Sequence, residues 1–216
     1  MSITLNHNRK YLEFGLVGFL LIFYTVGTVG LLREATRDWF LGLSFLNLLL
    51  SFGTVILGRR ERTAGFFGFL LLCFATGMTV EWIGTKTGLL FGSYHYGENL
   101  GPKLWGVPWV IGLNWGILVL TSASIINRFK LSPVISAVLS ALLMTLLDVL
   151  MEPVAVKSDF WTWENGIIPF YNYICWFGVS LPLQYLYFRS RLVESNKVYE
   201  TLFLILTVFF TLLNFI

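Results

Sequence analysis

Residues 64–83 read AGFFGFLLLCFATGMTVEWI, an apolar run whose one charged side chain is Glu81. A helix of about 20 residues rises far enough to cross the hydrocarbon core of a bilayer, so this run predicts a transmembrane helix with a carboxylate near one end. Working outward, comparable stretches lie at 11–32, 38–57, 107–126, 133–151, 166–188 and 198–215. The polar breaks between them are too short to hold a soluble domain. The expected fold is an all-α polytopic membrane bundle of about seven transmembrane helices, in a single domain over residues 1–216. The stretch at 11–32 follows Arg9 and Lys10 as a signal peptide would, but it runs on without a small-residue cleavage site and is read as a retained helix.

Composition agrees with this reading. Of the 216 residues 56% are apolar and 12% charged, about half the charge of a soluble domain. A disordered chain, a nucleic-acid-binding domain and a disulfide-stapled secreted fold are all excluded, since there is no sustained polar tract and Cys73 and Cys175 both lie inside apolar runs. The net charge of +3 speaks to topology. Ten of the 15 Lys and Arg residues fall on the N-terminal tail and the alternate loops that share its side, which places the N-terminus in the cytoplasm. Trp39, Trp82, Trp105, Trp109, Trp161 and Trp163 then lie at the outer ends of helices, where an interfacial aromatic belt is expected. Ser132, Ser136 and Ser140, with Ala137 and Ala141, form a small-residue packing stripe on the fifth helix.

That topology brings three carboxylates into one leaflet: Glu81 on the third helix, and Asp148 and Glu152 four residues apart on the fifth. A carboxylate in an apolar helix costs on the order of 2.5–3.5 kcal/mol, so it is expected to face a cavity or a partner and to work as an acid. Asp148 lies deepest. Pro153 is expected to end the helix just after Glu152. Glu13 reads as a structural residue paired near Lys10 at the inner end of the first helix.

The third loop, GTKTGLLFGSYHYGENLGPKLWG over 84–106, is rich in glycine and aromatics and is expected to fold over the helices as a lid. It contains His95, a candidate for moving a proton or orienting water. With only His7 and His95 in the chain, a histidine-rich metal centre has no support. Residues 198–216 hold no lysine for a retinal Schiff base, and nucleotide, serine-hydrolase and dithiol motifs are absent from the sequence. Asn47 and Gln184 are expected to be interhelical hydrogen-bonding groups. Asn114, beside Trp115, is the exception with a claim to chemistry.

Several motifs occur together in order: Glu81-Trp82-Ile83-Gly84, Thr87-Gly88, Phe91-Gly92-Ser93-Tyr94-His95-Tyr96, Leu100-Gly101-Pro102 and Gly106-Val107-Pro108. Asp148, Met151-Glu152-Pro153-Val154, Trp161-Thr162-Trp163, Ile168-Pro169, Asn172 and Trp176 continue the series. Over about residues 74–178 this resembles the carotenoid biosynthesis family of integral membrane proteins that includes the bisanhydrobacterioruberin and γ-carotene 1′,2′-hydratases. The resemblance implies addition of water to the terminal C1=C2 double bond of an acyclic carotenoid ψ-end, without a cofactor, in the cytoplasmic (inner) membrane of a prokaryote. The implied partners are the lipophilic carotenoid, the bilayer and other carotenoid biosynthesis enzymes. Glu81, Asp148, Glu152 and His95 are the implied catalytic residues. Trp82, Phe91, Tyr94, Tyr96, Asn114, Trp161, Trp163, Asn172 and Trp176 are the implied substrate-binding ones. Two other readings stand beside it: a membrane enzyme like a lycopene cyclase, which begins with the same protonation, and a non-catalytic carotenoid-binding or transport protein.

Overall fold

A computed structural model describes residues 2–215 and the side chains of residues 8–215. Eight helices appear among the described residues: α1 (Ser2–Leu32), α2 (Glu34–Leu41), α3 (Ser44–Gly58), α4 (Ala64–Thr87), α5 (Val110–Asn127), α6 (Pro133–Lys157), α7 (Phe170–Arg189) and α8 (Lys197–Leu213). Four of them, α1, α4, α5 and α6, are long and apolar enough to cross a membrane by length and composition, and a fifth is added if the bent pair α2–α3 is one span. The all-α reading therefore stands, with four or five spans by this measure.

The expected continuous helix at 38–57 is instead two helices meeting at 62°. The chain turns at Gly42 and Leu43, and α2 lies so close to α1 that a side chain at Gly30 would run into the Phe40 ring. The fifth predicted helix also differs, since α6 continues through Pro153 to Lys157. Proline removes one hydrogen bond and crowds the preceding turn. Asn214 Nδ2 of a neighbouring helix bonds Leu150 O at 2.7 Å in the same turn, one residue beyond the Val149 carbonyl that loses its helical donor to the proline.

Local chemistry sets the other helix ends. The Thr63 hydroxyl accepts from Phe66 N, Ser132 from Ile135 N with Pro133 at the first helical position, and Asn196 from Val198 N. Helix α4 stops at Gly88, whose φ of +66° is a left-handed cap.

The centre of the bundle is α5, which packs on α3, α4, α6, α7 and α8. Its apolar surface is buried nearly all round, whereas α1 turns Ile22 and α4 turns Leu71 outward at 69% and 66% exposure. A helix apolar on every side belongs in the interior, and apolar outer faces on its neighbours suit lipid. The small-residue stripe of α6 is buried at Ser136, Ala137, Ser140 and Ala141. Gln184 bonds Ser122 Oγ at 2.8 Å and Val119 O at 3.2 Å, tying α7 to α5, while Asn47 accepts from Tyr24 at 3.1 Å, tying α3 to α1. Glu13 pairs with Arg9 at 3.4 Å rather than with Lys10.

Between the helices run short strands. β1 (Tyr94–Tyr96) pairs antiparallel with β4 (Trp161–Trp163), and β2 (Lys103–Leu104) pairs with β3 (Val107–Pro108). The long third loop thus folds over one end of the bundle and is stitched to the loop between α6 and α7.

Candidate active site

Side chains alternate across a strand, so a three-residue strand puts its first and third residues on one face. Here that face is turned inward. Tyr94 and Tyr96 from β1 and Trp161 and Trp163 from β4 are buried side by side, in register as Tyr94 opposite Trp163 and Tyr96 opposite Trp161. Their rings sit 5.0 and 6.0 Å apart between centroids, within the range of favourable aromatic pairs. The chain enters β1 through Phe91, whose φ of 65° is left-handed, and Gly92, whose φ is 118°. A side chain at Gly92 would press on Pro169 and Trp163. This costly backbone buries the Phe91 ring beside the tyrosines.

Beneath the strands lie the carboxylates. Glu81, at the end of α4, is 4% exposed; its Oε2 accepts from Tyr94 Oη at 2.5 Å and Tyr96 Oη at 2.7 Å, and its Oε1 from Trp115 Nε1 at 3.2 Å. Glu152, 2% exposed on α6, accepts at Oε2 from both Trp161 and Trp163 Nε1 at 3.0 Å. Asn172 Nδ2, from the first turn of α7, bridges Glu152 Oε1 and Asp148 Oδ2 at 2.9 Å each. Asp148 is fully buried, and its Oδ1 has no partner among the described residues. Burial first, and then the charge of Glu81, holds the Tyr94 and Tyr96 phenols well above their ordinary range, so both stay protonated and remain donors to Glu81.

These groups enclose a cavity of about 30 Å³, room for a water or two. Glu81 and Glu152 face it, walled by Phe91, Trp176 and the four strand aromatics. A second, larger cavity of about 310 Å³ adjoins it, bounded by α1, the α2–α3 pair, α5, α6 and α8 and lined almost wholly by apolar side chains. Ile111, Asn114, Met151 and Trp161 line both. Helix periodicity produces the arrangement: Leu147, Met151 and Val154 on α6 face the large cavity, while Asp148 and Glu152, one position further round, face the acid cluster. Among the described residues no group of three His, Cys, Asp or Glu side chains is placed to hold a metal ion.

The expected site residues are largely brought together. Phe91, Tyr94, Tyr96, Asn114, Trp161, Trp163, Asn172 and Trp176 all line the small cavity with Glu81 and Glu152. Asp148 is not on its wall but stands behind Asn172. Two residues fall elsewhere. His95 lies on the exposed face of β1, turned away from the acids by the same alternation that points Tyr94 and Tyr96 inward. Trp82 points out of the bundle at 43% exposure. Conversely, Trp161 and Trp163, which would suit an interfacial belt, are interior hydrogen-bond donors. Trp115 was not among the expected site residues; its indole bonds Glu81 and stacks on Trp176 with ring centroids 4.5 Å apart.

Comparison with known proteins decides the family. The model for the carotenoid biosynthesis protein family matches residues 40–216. The chain belongs to that family. Among curated relatives, the bisanhydrobacterioruberin hydratase of Haloarcula japonica is 29% identical over 172 residues, which cover 72% of this chain and 58% of the relative. The chain thus matches somewhat over half the length of that relative. No solved structure matches this chain.

Proposed function

We propose that this member of the family hydrates a carotenoid, adding water across the terminal C1=C2 double bond of an acyclic ψ-end. The observation that carries the reading is a water-sized cavity holding two carboxylates beside a large apolar chamber. A polyene rod dissolved in the bilayer would lie in the chamber and present its last double bond to the acids. Protonating C2 of a trisubstituted alkene leaves a tertiary cation at C1, which water must then capture. The Asp148–Glu152 pair, bridged by Asn172, supplies the proton, and Glu81 takes one back from the water. Net charge in the site is unchanged at the end, and the product is a tertiary alcohol. The faces of Phe91, Trp161 and Trp176 stabilise the cation without bonding to it, and they exclude the bulk water that would leave the barrier to protonation unassisted.

The family and the named relative support a carotenoid substrate, and the apolar outer helices support a membrane setting. Counting α2–α3 as one crossing and adding α7 and α8, we place seven crossings in the inner membrane with the N-terminus in the cytoplasm, in keeping with the distribution of Lys and Arg. The test is expression in cells that make lycopene or γ-carotene, with pigment mass analysis. The wild type should yield a product heavier by one water, and Asp148→Asn should lower that yield by roughly 10² while the protein still accumulates in the membrane. A cyclic product of unchanged mass would replace hydration with cyclisation.

A further inference from the structure

Around the small cavity nearly every side-chain donor is already committed to a carboxylate. Tyr94, Tyr96 and Trp115 bond Glu81; Trp161, Trp163 and Asn172 bond Glu152. Two lining groups remain, the Trp176 indole N–H and the Asn114 amide, neither of which has a hydrogen-bond partner among the described residues. Of these only the amide can both donate and accept. Its position is also distinctive, because Asn114 lines the acid cavity and the apolar chamber alike. On α5 it shares a face with Ile111 and Leu118, both chamber residues, while Trp115 beside it points to Glu81. The amide is half-buried between the two spaces, with Glu81 and Glu152 on one side and a mostly apolar chamber on the other.

We infer that Asn114 holds the water that captures the carotenoid cation, and so decides whether the protonated chain end is hydrated. The inference rests on the hydration reading and adds to it the group that orients the nucleophile. The amide oxygen accepts one hydrogen of the water and Glu81 the other. The water's lone pair is left facing the chamber, where C1 of the substrate arrives. As the C1–O bond forms, the second proton of the water passes to Glu81. Without an ordered water, the cation is left to capture by an internal double bond, which closes a ring of unchanged mass, or to elimination. Loss of the proton just added at C2 restores the starting alkene, and loss of a proton from a C1 methyl gives the terminal isopropenyl isomer. In both cases the proton returns to a carboxylate and the mass of the polyene is unchanged.

This predicts a change in product partition, which a merely structural role would not produce. The purified wild type, Asn114→Leu and Asn114→Ser are each reconstituted in liposomes loaded with preformed, unlabelled lycopene or γ-carotene, in buffer made with D₂O. Hydrated product and deuterium gained by the unhydrated polyene are both read by mass spectrometry. In Asn114→Leu the ratio of hydrated product to deuterium-exchanged, unhydrated polyene should fall by roughly two- to tenfold, the worth of one lost hydrogen bond to the water. Asn114→Ser, which keeps a donor and an acceptor, should recover part of it. The inference is overturned if Asn114→Leu keeps the wild-type ratio, or if both variants lose hydration and exchange together. If Asn114→Leu fails to accumulate, an unchanged ratio in Asn114→Ser beside an equally unchanged one in Asn114→Ala overturns it. A wild type that exchanges deuterium but never hydrates would defeat the hydration reading itself, and the inference with it.

Discussion

Replacing Asn172 by leucine tests the site through its energetics. Leucine keeps the number and branching of the heavy atoms but its methyl groups are bulkier, so the change leaves no cavity, removes the polar chemistry and adds some crowding. The native amide is 1% exposed and makes two hydrogen bonds of 2.9 Å, to Asp148 Oδ2 and Glu152 Oε1. Neutral interhelical hydrogen bonds in membrane proteins are worth on average about 0.6 kcal/mol, so two such bonds would account for roughly 1 kcal/mol. Bonds to carboxylates are stronger, about 1.5–3 kcal/mol each, and leaving their buried acceptors unpaired adds to the loss. We therefore expect Asn172→Leu to cost more than about 2 kcal/mol, and as much as about 6. The assay is SDS-driven unfolding in detergent micelles followed by circular dichroism, with wild type and variant run in parallel. The double variant Asp148→Leu/Asn172→Leu should be less damaged than the two single losses summed, because the deeper carboxylate no longer waits for a partner. A loss under about 1 kcal/mol for Asn172→Leu, or simple additivity in the double variant, would refute the claim that the amide holds two buried acids together.

Three further outcomes follow from other parts of the structure. A methyl group at Gly77 would collide with the buried Trp115 indole, so Gly77→Ala should cost about 1–3 kcal/mol and displace the indole from Glu81; Gly53→Ala, which meets nothing within 4 Å, should not destabilise the fold. Because Tyr94 and Tyr96 are held above the ordinary phenol value of 10.0, their contribution to stability is full below that pH and is lost as pH rises beyond it through their own titration. Ultraviolet titration should accordingly show fewer phenols ionising in Tyr94→Phe/Tyr96→Phe only at the alkaline end, and a loss seen near pH 10 would contradict the burial. Reporter fusions after Arg60 and after Lys103 should lie on opposite sides of the membrane, and matching sides would overturn the proposed orientation.

The carboxylates were legible in the sequence because a charge inside an apolar run must be accounted for, and Glu81, Asp148 and Glu152 do meet in one buried cluster. The aromatic residues of 91–96 and 161–163 were legible through the pattern they form with those acids, although no rule in the sequence announces that β1 and β4 pair. Two side-chain directions hidden in the sequence have the same origin. His95 is flanked by Tyr94 and Tyr96, and only knowing that this segment is a strand tells that the histidine must face the other way. Trp161 and Trp163 sit where an interfacial belt would place them, and composition alone does not separate a ring facing headgroups from one donating to Glu152. The break between α2 and α3 was hidden because the residues on both sides are apolar and Gly42 is one glycine among 20. Trp115 and the apolar chamber had no local signal at all, since an aromatic residue within a buried helix looks the same whether it packs or donates, and the chamber arises only when α1, α5, α6 and α8 are assembled.

The central claim is that this buried acid cavity adds water to a carotenoid end. It is tested most directly with the purified protein in liposomes loaded with lycopene or γ-carotene, in buffer made with H₂¹⁸O and run beside Glu81→Gln and Asp148→Asn. The account predicts a tertiary alcohol carrying the heavy oxygen from the wild type, and little or none from either variant. An unlabelled isomer from the wild type, or labelled alcohol in equal yield from all three proteins, would contradict it.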